Sequence, residues 1–268
     1  MVTLDDISNL IYFQFRKRQY DALKKKRLGI FHVSDYVQDC VRNSYYAHLQ
    51  GNGKKSMDTT TMSVFFSGEA VHQLLDNSAP KGLGETPLAY NFIDDKPVEL
   101  FDADGNVLDS VKDISVDEWL KILVGEADSL YKIDIKGKKE WVIVDYKTWL
   151  SKGFKKREAS PEHKIQVNSY RYLLNKSMNI DVKYGAIIYL DFNDRMEKPL
   201  IFTFKLDDME KIRNDLILKY EQFKNAKETG VLPDRTYSWK CNGYCPYAER
   251  CFNEDKLEEG ENNLVVTV

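Results

Sequence analysis

The run Gly125-Glu-Ala-Asp-Ser-Leu-Tyr-Lys-Ile-Asp-Ile-Lys-Gly-Lys-Lys-Glu-Trp-Val-Ile-Val-Asp-Tyr-Lys-Thr148 decides the fold. Two β-rich stretches, Ala127–Ile135 and Glu140–Lys147, flank a Lys-Gly-Lys-Lys turn, which predicts a hairpin. Trp141 to Val144 is an unbroken apolar run, as expected of a strand covered on both faces. Asp145, Tyr146 and Lys147 follow where that run ends. Side chains alternate along a strand, so Asp145 and Lys147 share one face and Tyr146 takes the other. Asp128, on the partner strand, is placed to meet them. Two carboxylates and an ammonium at the end of a buried sheet are costly unless they hold a metal ion and do chemistry.

The surrounding sequence extends this core in both directions. Residues 4–27 form an amphipathic helical pattern with the basic runs Arg16–Arg18 and Lys24–Arg27. That face serves either as a solvated surface or as a phosphate contact. Ser34 is a suitable N-cap for a helix carrying Cys40, Arg42, Tyr45 and Tyr46, and residues 50–61 read as a loop. A helix over Thr61–Leu75 holds Gly68 and His72, one turn apart. The glycine permits close approach; the imidazole is either a satisfied structural group or a nitrogen ligand beside the acids. Residues 76–95 form an irregular connection, and Pro97–Leu108 reads as a hairpin. Its Asp-Ala-Asp-Gly-Asn turn lacks the remaining spacing of a calcium loop.

Beyond Thr148, the stretch to Arg157 is basic. Lys152, Lys155, Lys156 and Arg157 are available to hold a phosphate, with Trp149 or Phe154 to stack on a base. An exposed solvated loop is the alternative. A helix from Pro161 to Leu174 sets Gln166 and Tyr170 four apart on one face. Strands follow at Tyr184–Leu190 and Leu200–Leu206, then an amphipathic helix over Asp207–Ala226. The order predicts an α/β domain around a central mixed sheet flanked by helices.

Composition bounds the function. The chain of 268 residues is 43% hydrophobic and 30% charged, ordinary for a globular protein. Its net charge of −3 leaves any nucleic-acid contact to local basic patches. No apolar run approaches a membrane span and no signal pattern opens the chain, so a cytoplasmic location without a membrane partner is expected. Of four cysteines, Cys40 stands alone, whereas Cys241, Cys245 and Cys251 cluster. In a reducing compartment such a set points to metal before disulfide, and its spacing suits zinc or an iron–sulphur cluster alike.

Taken in order, Gly68-x3-His72, Gly125-x2-Asp128, Asp145-Tyr-Lys147-Thr148 and Gln166-x3-Tyr170 resemble the RecB-like branch of the PD-(D/E)XK nucleases. Cys40, followed much later by Cys241-x3-Cys245-x5-Cys251, is similar to the iron-staple subset. That subset includes the CRISPR-adaptation exonuclease family, AddB-type nucleases and viral relatives. The resemblance spans roughly residues 30–252.

It implies a restriction-endonuclease-like domain over residues 1–252, with 30–60 and 235–252 forming the cluster-binding part and 253–268 a flexible acidic tail. It further implies Mg or Mn held by His72, Asp128, Asp145 and the Tyr146 carbonyl. Lys147 would act on the reacting phosphate, with Gln166 and Tyr170 orienting the strand. Cys40, Cys241, Cys245 and Cys251 would hold one [4Fe-4S] cluster joining the N- and C-terminal segments, with zinc as the alternative occupant. The expected activity is a metal-dependent DNA exonuclease on single strands or frayed ends, 5′→3′. Its setting would be CRISPR adaptation or viral or host recombination and repair. No Gly-x4-Gly-Lys-Ser/Thr is present, so an integrase, helicase or recombination partner would be another chain. The rival expectation is a catalytically silent DNA-end-binding or adaptor subunit that keeps the fold.

Overall fold

The computed structural model describes residue 14 and residues 28–37, 40–49, 67–68, 70–71, 87–103, 105–149, 157–191, 199–238, 241–242, 245–254, 256 and 262–266. The expected helix over 4–27 (residue 14 apart), the loop at 50–61 and most of the helix over 61–75 lie outside them.

The hairpin forms one side of a four-stranded mixed sheet, with its first strand at the edge. β5 (Ser129–Ile135) pairs antiparallel with β6 (Lys138–Trp149), and β6 pairs parallel with β7 (Tyr184–Asp191). β8 (Leu200–Lys205) closes the order antiparallel to β7. Lys136 and Gly137, both at positive φ (54° and 81°), make the two-residue turn. Two positive φ angles suit the right-handed twist of the flanking strands. Gly137 N–H also donates to Asp134 Oδ1 at 2.7 Å.

A second mixed sheet, which the sequence did not announce, stands beside the first. It contains β1 (Phe31–His32), β2 (Leu88–Asn91), β3 (Lys96–Pro97) and β4 (Ile122–Gly125) in the order β1-β4-β2-β3. Its strands are two to four residues long, too short for a period-2 signal to register. The expected hairpin over Pro97–Leu108 reduces to one bridge, Phe101 to Val107. Asp102 N–H donates to Asn106 O and Leu108 N–H to Leu100 O, each at 2.9 Å, and Asp102 Oδ1 accepts Asn106 N–H at 2.8 Å.

The helix expected from Ser34 is two pieces, α1 (Val33–Tyr36) and α2 (Val41–Leu49). Cys40 sits in the break, where its carbonyl accepts Asn43 N–H at 3.1 Å as α2 starts. The break frees Cys40 from the helix face that a continuous helix would have imposed. A short α3 (Val116–Trp119) is capped by Ser115.

Between the sheets lies α4 (Pro161–Met178), which packs against β2, β4, β6 and β7. Proline in its first turn suits a position whose N–H has no helical partner. Close approach is demanded at Gly125, where an added Cβ would lie 2.5 Å from Val33 Cγ2 and 3.1 Å from Leu173 Cδ1. α5 (Met209–Thr229) starts at Asp208, whose carboxylate accepts Lys211 N–H at 2.8 Å, and stops at left-handed Gly230.

The C-terminal segment carries α6 (Ala248–Asn253) and is braced by Arg42, only 5% exposed. Arg42 donates to the carbonyls of Pro233 (2.7 Å), Glu254 (3.0 Å) and Cys251 (3.3 Å). Within the stretch expected as an acidic tail, Leu264 is buried and Val265 N–H donates to His48 O at 2.7 Å.

Candidate active site

The register of β6 sorts its side chains. Ile143 belongs to the main core together with Leu130, Ile187 and Tyr189, on the side that α4 covers. Val142, Val144, Tyr146 and Ala186 form a separate cluster on the opposite face. Asp145 and Lys147 therefore continue the face of Ile143, and Tyr146 turns away from them.

Asp145 is wholly buried, with 0% exposure. Lys147 Nζ lies 2.9 Å from each of its carboxylate oxygens. Asp128 stands just before β5, opposite Asp145 when the strand register is extended by one pair. Its Oδ2 accepts Tyr146 N–H at 2.8 Å, taking the place of a ladder carbonyl. Burial alone would lower the Lys147 pKa, but attraction to Asp145 and then Asp128 outweighs it, so the ammonium holds its proton more tightly than usual.

α4 supplies the opposing wall. Gln166 Nε2 donates to Tyr170 Oη at 2.8 Å, across one helical turn. Burial, followed by the negative charges of Asp145 and Asp128, pushes the Tyr170 phenol well above its ordinary pKa. It therefore keeps its proton at neutral pH and can act as a donor. Glu126 adds to that field and is an acid the sequence reading passed over. Its only signal was a place two residues before Asp128. Also passed over was His163, whose Nδ1 lies 2.7 Å from Tyr189 Oη.

Other expected residues divide into those brought together and those beyond description. Gly68 does permit a close approach: a Cβ there would lie 2.8 Å from Thr148 Oγ1, at the end of β6. Arg157 is exposed. His72, Lys152, Lys155, Lys156 and the Trp149 side chain lie outside the described residues.

The donor set can be tested against a divalent cation. Asp128 and Asp145 offer hard oxygen ligands on one face, and with Lys147 alone they leave a net negative charge in a buried place. Such a set suits Mg²⁺ or Mn²⁺. Asp128, Asp145 and the Tyr146 carbonyl are the groups that would hold the ion.

A second region draws together the cysteines. Cys40, Cys241, Cys245 and Cys251 line one recess, with Asn43, Tyr237, Tyr247 and Phe252. No disulfide joins them. Burial raises the Cys245 and Cys251 thiol pKa values, and neighbouring cysteine charges add to this. Opposing it, Arg42 lowers the Cys251 value, and Asn43 Nδ2 lies 3.4 Å from Cys245 Sγ. Donors aimed at sulphur suit thiolates bound to metal. Among the described residues no three His, Cys, Asp or Glu side chains already form an ion-holding group. The fit is therefore one of residue type and convergence, not of a closed ligand shell.

Among the described residues no helix is long and apolar enough to cross a membrane. No curated protein matches the chain. Residues 98–252, more than half of the 268, match the PD-(D/E)XK nuclease superfamily. The matched segment contains both acids, the lysine, the Gln166–Tyr170 pair and three of the four cysteines. With strand register, the buried Asp145 beside Asp128 and the covering helix all consistent with that match, the chain belongs to the PD-(D/E)XK nuclease superfamily.

Proposed function

We propose that this protein is a divalent-metal-dependent deoxyribonuclease that acts as an exonuclease on single-stranded DNA or frayed ends. The observation that carries this reading is the fully buried Asp145, bonded to Lys147 and set beside Asp128 within a nuclease-superfamily domain. Asp128, Asp145 and the Tyr146 carbonyl, joined by His72, would hold Mg²⁺ or Mn²⁺. When bound, such an ion supplies Lewis acidity and an acidified water. Lys147 remains protonated and donates to the phosphate oxygens as negative charge builds on them. Tyr170, also protonated, and Gln166 orient the scissile strand from α4. The basic segment Lys152 to Arg157, with Trp149, would grip the backbone and stack a base.

By resemblance, the chain is of the RecB-like type, its nuclease domain covers residues 1–252, and its polarity is 5′→3′. Cys40, Cys241, Cys245 and Cys251 would hold a structural [4Fe-4S] cluster, a reading supported by their convergence on one recess. CRISPR adaptation or viral or host recombination and repair is the fitting context, with an integrase or helicase partner.

The test uses single-stranded oligonucleotides labelled at either end, incubated with Mg²⁺, Mn²⁺ or chelator. Mononucleotide or short products released from one end, lost with chelator and with Asp145→Ala, are expected. Internal cuts would overturn the exonuclease reading. Tight DNA-end binding with no cleavage under any metal would replace it with the adaptor role.

A further inference from the structure

His163 lies on the working face of α4 without a role in the chemistry so far. It precedes Gln166 by three positions and Tyr170 by seven, so all three share one helical stripe. Its Nδ1 lies 2.7 Å from the hydroxyl of Tyr189, and the two rings stand 5.5 Å apart. Tyr189 is 2% exposed, and in the parallel pairing of β6 and β7 it is the register partner of Lys147. The same hydroxyl accepts the N–H of Ser160 at 3.0 Å. Ser160 is the N-cap of α4, and its own side chain makes no capping bond.

The Tyr189 hydroxyl thus grips the first turn of α4 at two points, one backbone and one imidazole. A phenylalanine would fill much the same buried space, so the hydroxyl is there for its bonds; burying it without them would be costly. With Nδ1 unprotonated, His163 accepts a hydrogen bond from the Tyr189 hydroxyl while the hydroxyl oxygen accepts from Ser160 N–H, which satisfies the phenol on both sides. The next strand over, β6, carries Asp145 and Lys147, and α4 carries Gln166 and Tyr170.

We propose that His163 is a positioning residue: through Nδ1 and the Tyr189 hydroxyl it fixes the start of α4 against β7. It thereby sets the spacing between the Gln166–Tyr170 pair and the Asp145–Lys147 pair. This rests on the nuclease reading. Catalytic geometry is sensitive to shifts on the order of 1 Å, so loosening the grip lowers turnover while leaving DNA contacts elsewhere intact.

Two measurements on the full chain test it. The first is steady-state cleavage of a labelled single-stranded oligonucleotide by His163→Ala, His163→Asn, His163→Gln and Tyr189→Phe. His163→Ala and Tyr189→Phe should each lose roughly tenfold in kcat with KM nearly unchanged. Asparagine places a polar atom where Nδ1 stood and should restore turnover to within about threefold; glutamine reaches past that point and should not. The second is a double-mutant cycle of His163→Ala and Tyr189→Phe on thermal unfolding, which reads the contact without activity. Non-additivity together with the kcat loss is the expected result. Additive effects would remove the contact, and coupling with unchanged kcat would reduce it to a structural bond. A change confined to KM, or rescue by glutamine in place of asparagine, would also overturn the assignment. If the parent protein cleaves no DNA, the nuclease reading falls and the positioning role with it, whether or not the cycle shows coupling. If the parent cleaves and the cycle is additive, only the positioning role falls.

Discussion

The acid site and the cysteine recess are assembled from very different distances along the chain. Asp128, Asp145 and Lys147 come from one hairpin, and the wall opposite them from the helix that follows it. The recess joins Cys40 to three cysteines about two hundred residues later. In the first region the Tyr146 amide is already paired with Asp128 and the Lys147 ammonium with Asp145. In the second, burial raises the Cys245 and Cys251 thiol pKa values, and the Tyr247 backbone, Asn43, Arg42 and Arg235 act the other way. Local pairing can pre-form a polar site, whereas a site closed across a long loop depends on its occupant to hold it.

The sharpest way to break this contrast is Asp145→Ala. Cleavage should fall by roughly 10²–10³ or more, as expected when a buried group that acts in the transition state is removed. Bound metal at the cysteines should stay near the parent value. If metal analysis shows the cysteine centre lost as well, the two regions are not independent.

Next in size is Cys251→Ser, with Cys40→Ser as its counterpart. Opening so long a loop costs about 4–5 kcal/mol in the chain-entropy picture, which shifts melting by roughly 10 °C in a chain of this size. Colour and bound iron should disappear, and activity should fall only as far as the fold loosens. Colourless parent protein with one zinc per chain would change the occupant and keep the staple. Thiols fully reactive in metal-replete protein would remove both.

Tyr170→Phe should have a smaller effect, on the order of tenfold in kcat, because it deletes one donor and leaves the Asp145–Lys147 pair in place. A KM change without a kcat change, read from initial rates, would move Tyr170 from the transition state to simple binding.

The smallest effect concerns the basic residues that follow β6 in sequence. Replacing Lys155, Lys156 and Arg157 with alanine should flatten the salt dependence of single-strand binding by about two units of slope, measured by anisotropy on Asp145→Ala protein. An unchanged slope would remove these residues from the DNA-binding surface.

Legibility followed the same division. The hairpin, the shared face of Asp145 and Lys147, and the Gln166–Tyr170 stripe were readable because strand and helix periods place them locally. Helix α5 was readable from its amphipathic pattern as Asp207–Ala226, and the structure ends it three residues later, at Thr229, before Gly230. The short second sheet was not, since strands of two to four residues carry no periodic pattern. Nor was the break before α2, where a well-capped helical pattern concealed the place at which Cys40 leaves the helix. His163 and Tyr189, twenty-six positions apart, meet only because α4 folds back over β7. Glu126 lay beside Asp128 in plain view, but a single acid without a second signal gave no reason to single it out.

Arg42 has a consequence for the order in which the protein is made. A ribosome adds residues at about 5–20 per second, and the hairpin together with α4 emerges well before Pro233. Until then the guanidinium on α2 lacks all three carbonyls that receive it in the finished fold, at positions 233, 251 and 254. The working face can pair as soon as its own strands emerge. The brace between the two flanking segments closes last, once translation has supplied its acceptors. A nascent chain stalled before Pro233 would carry a hydrated Arg42 without the three carbonyls that receive it in the finished fold.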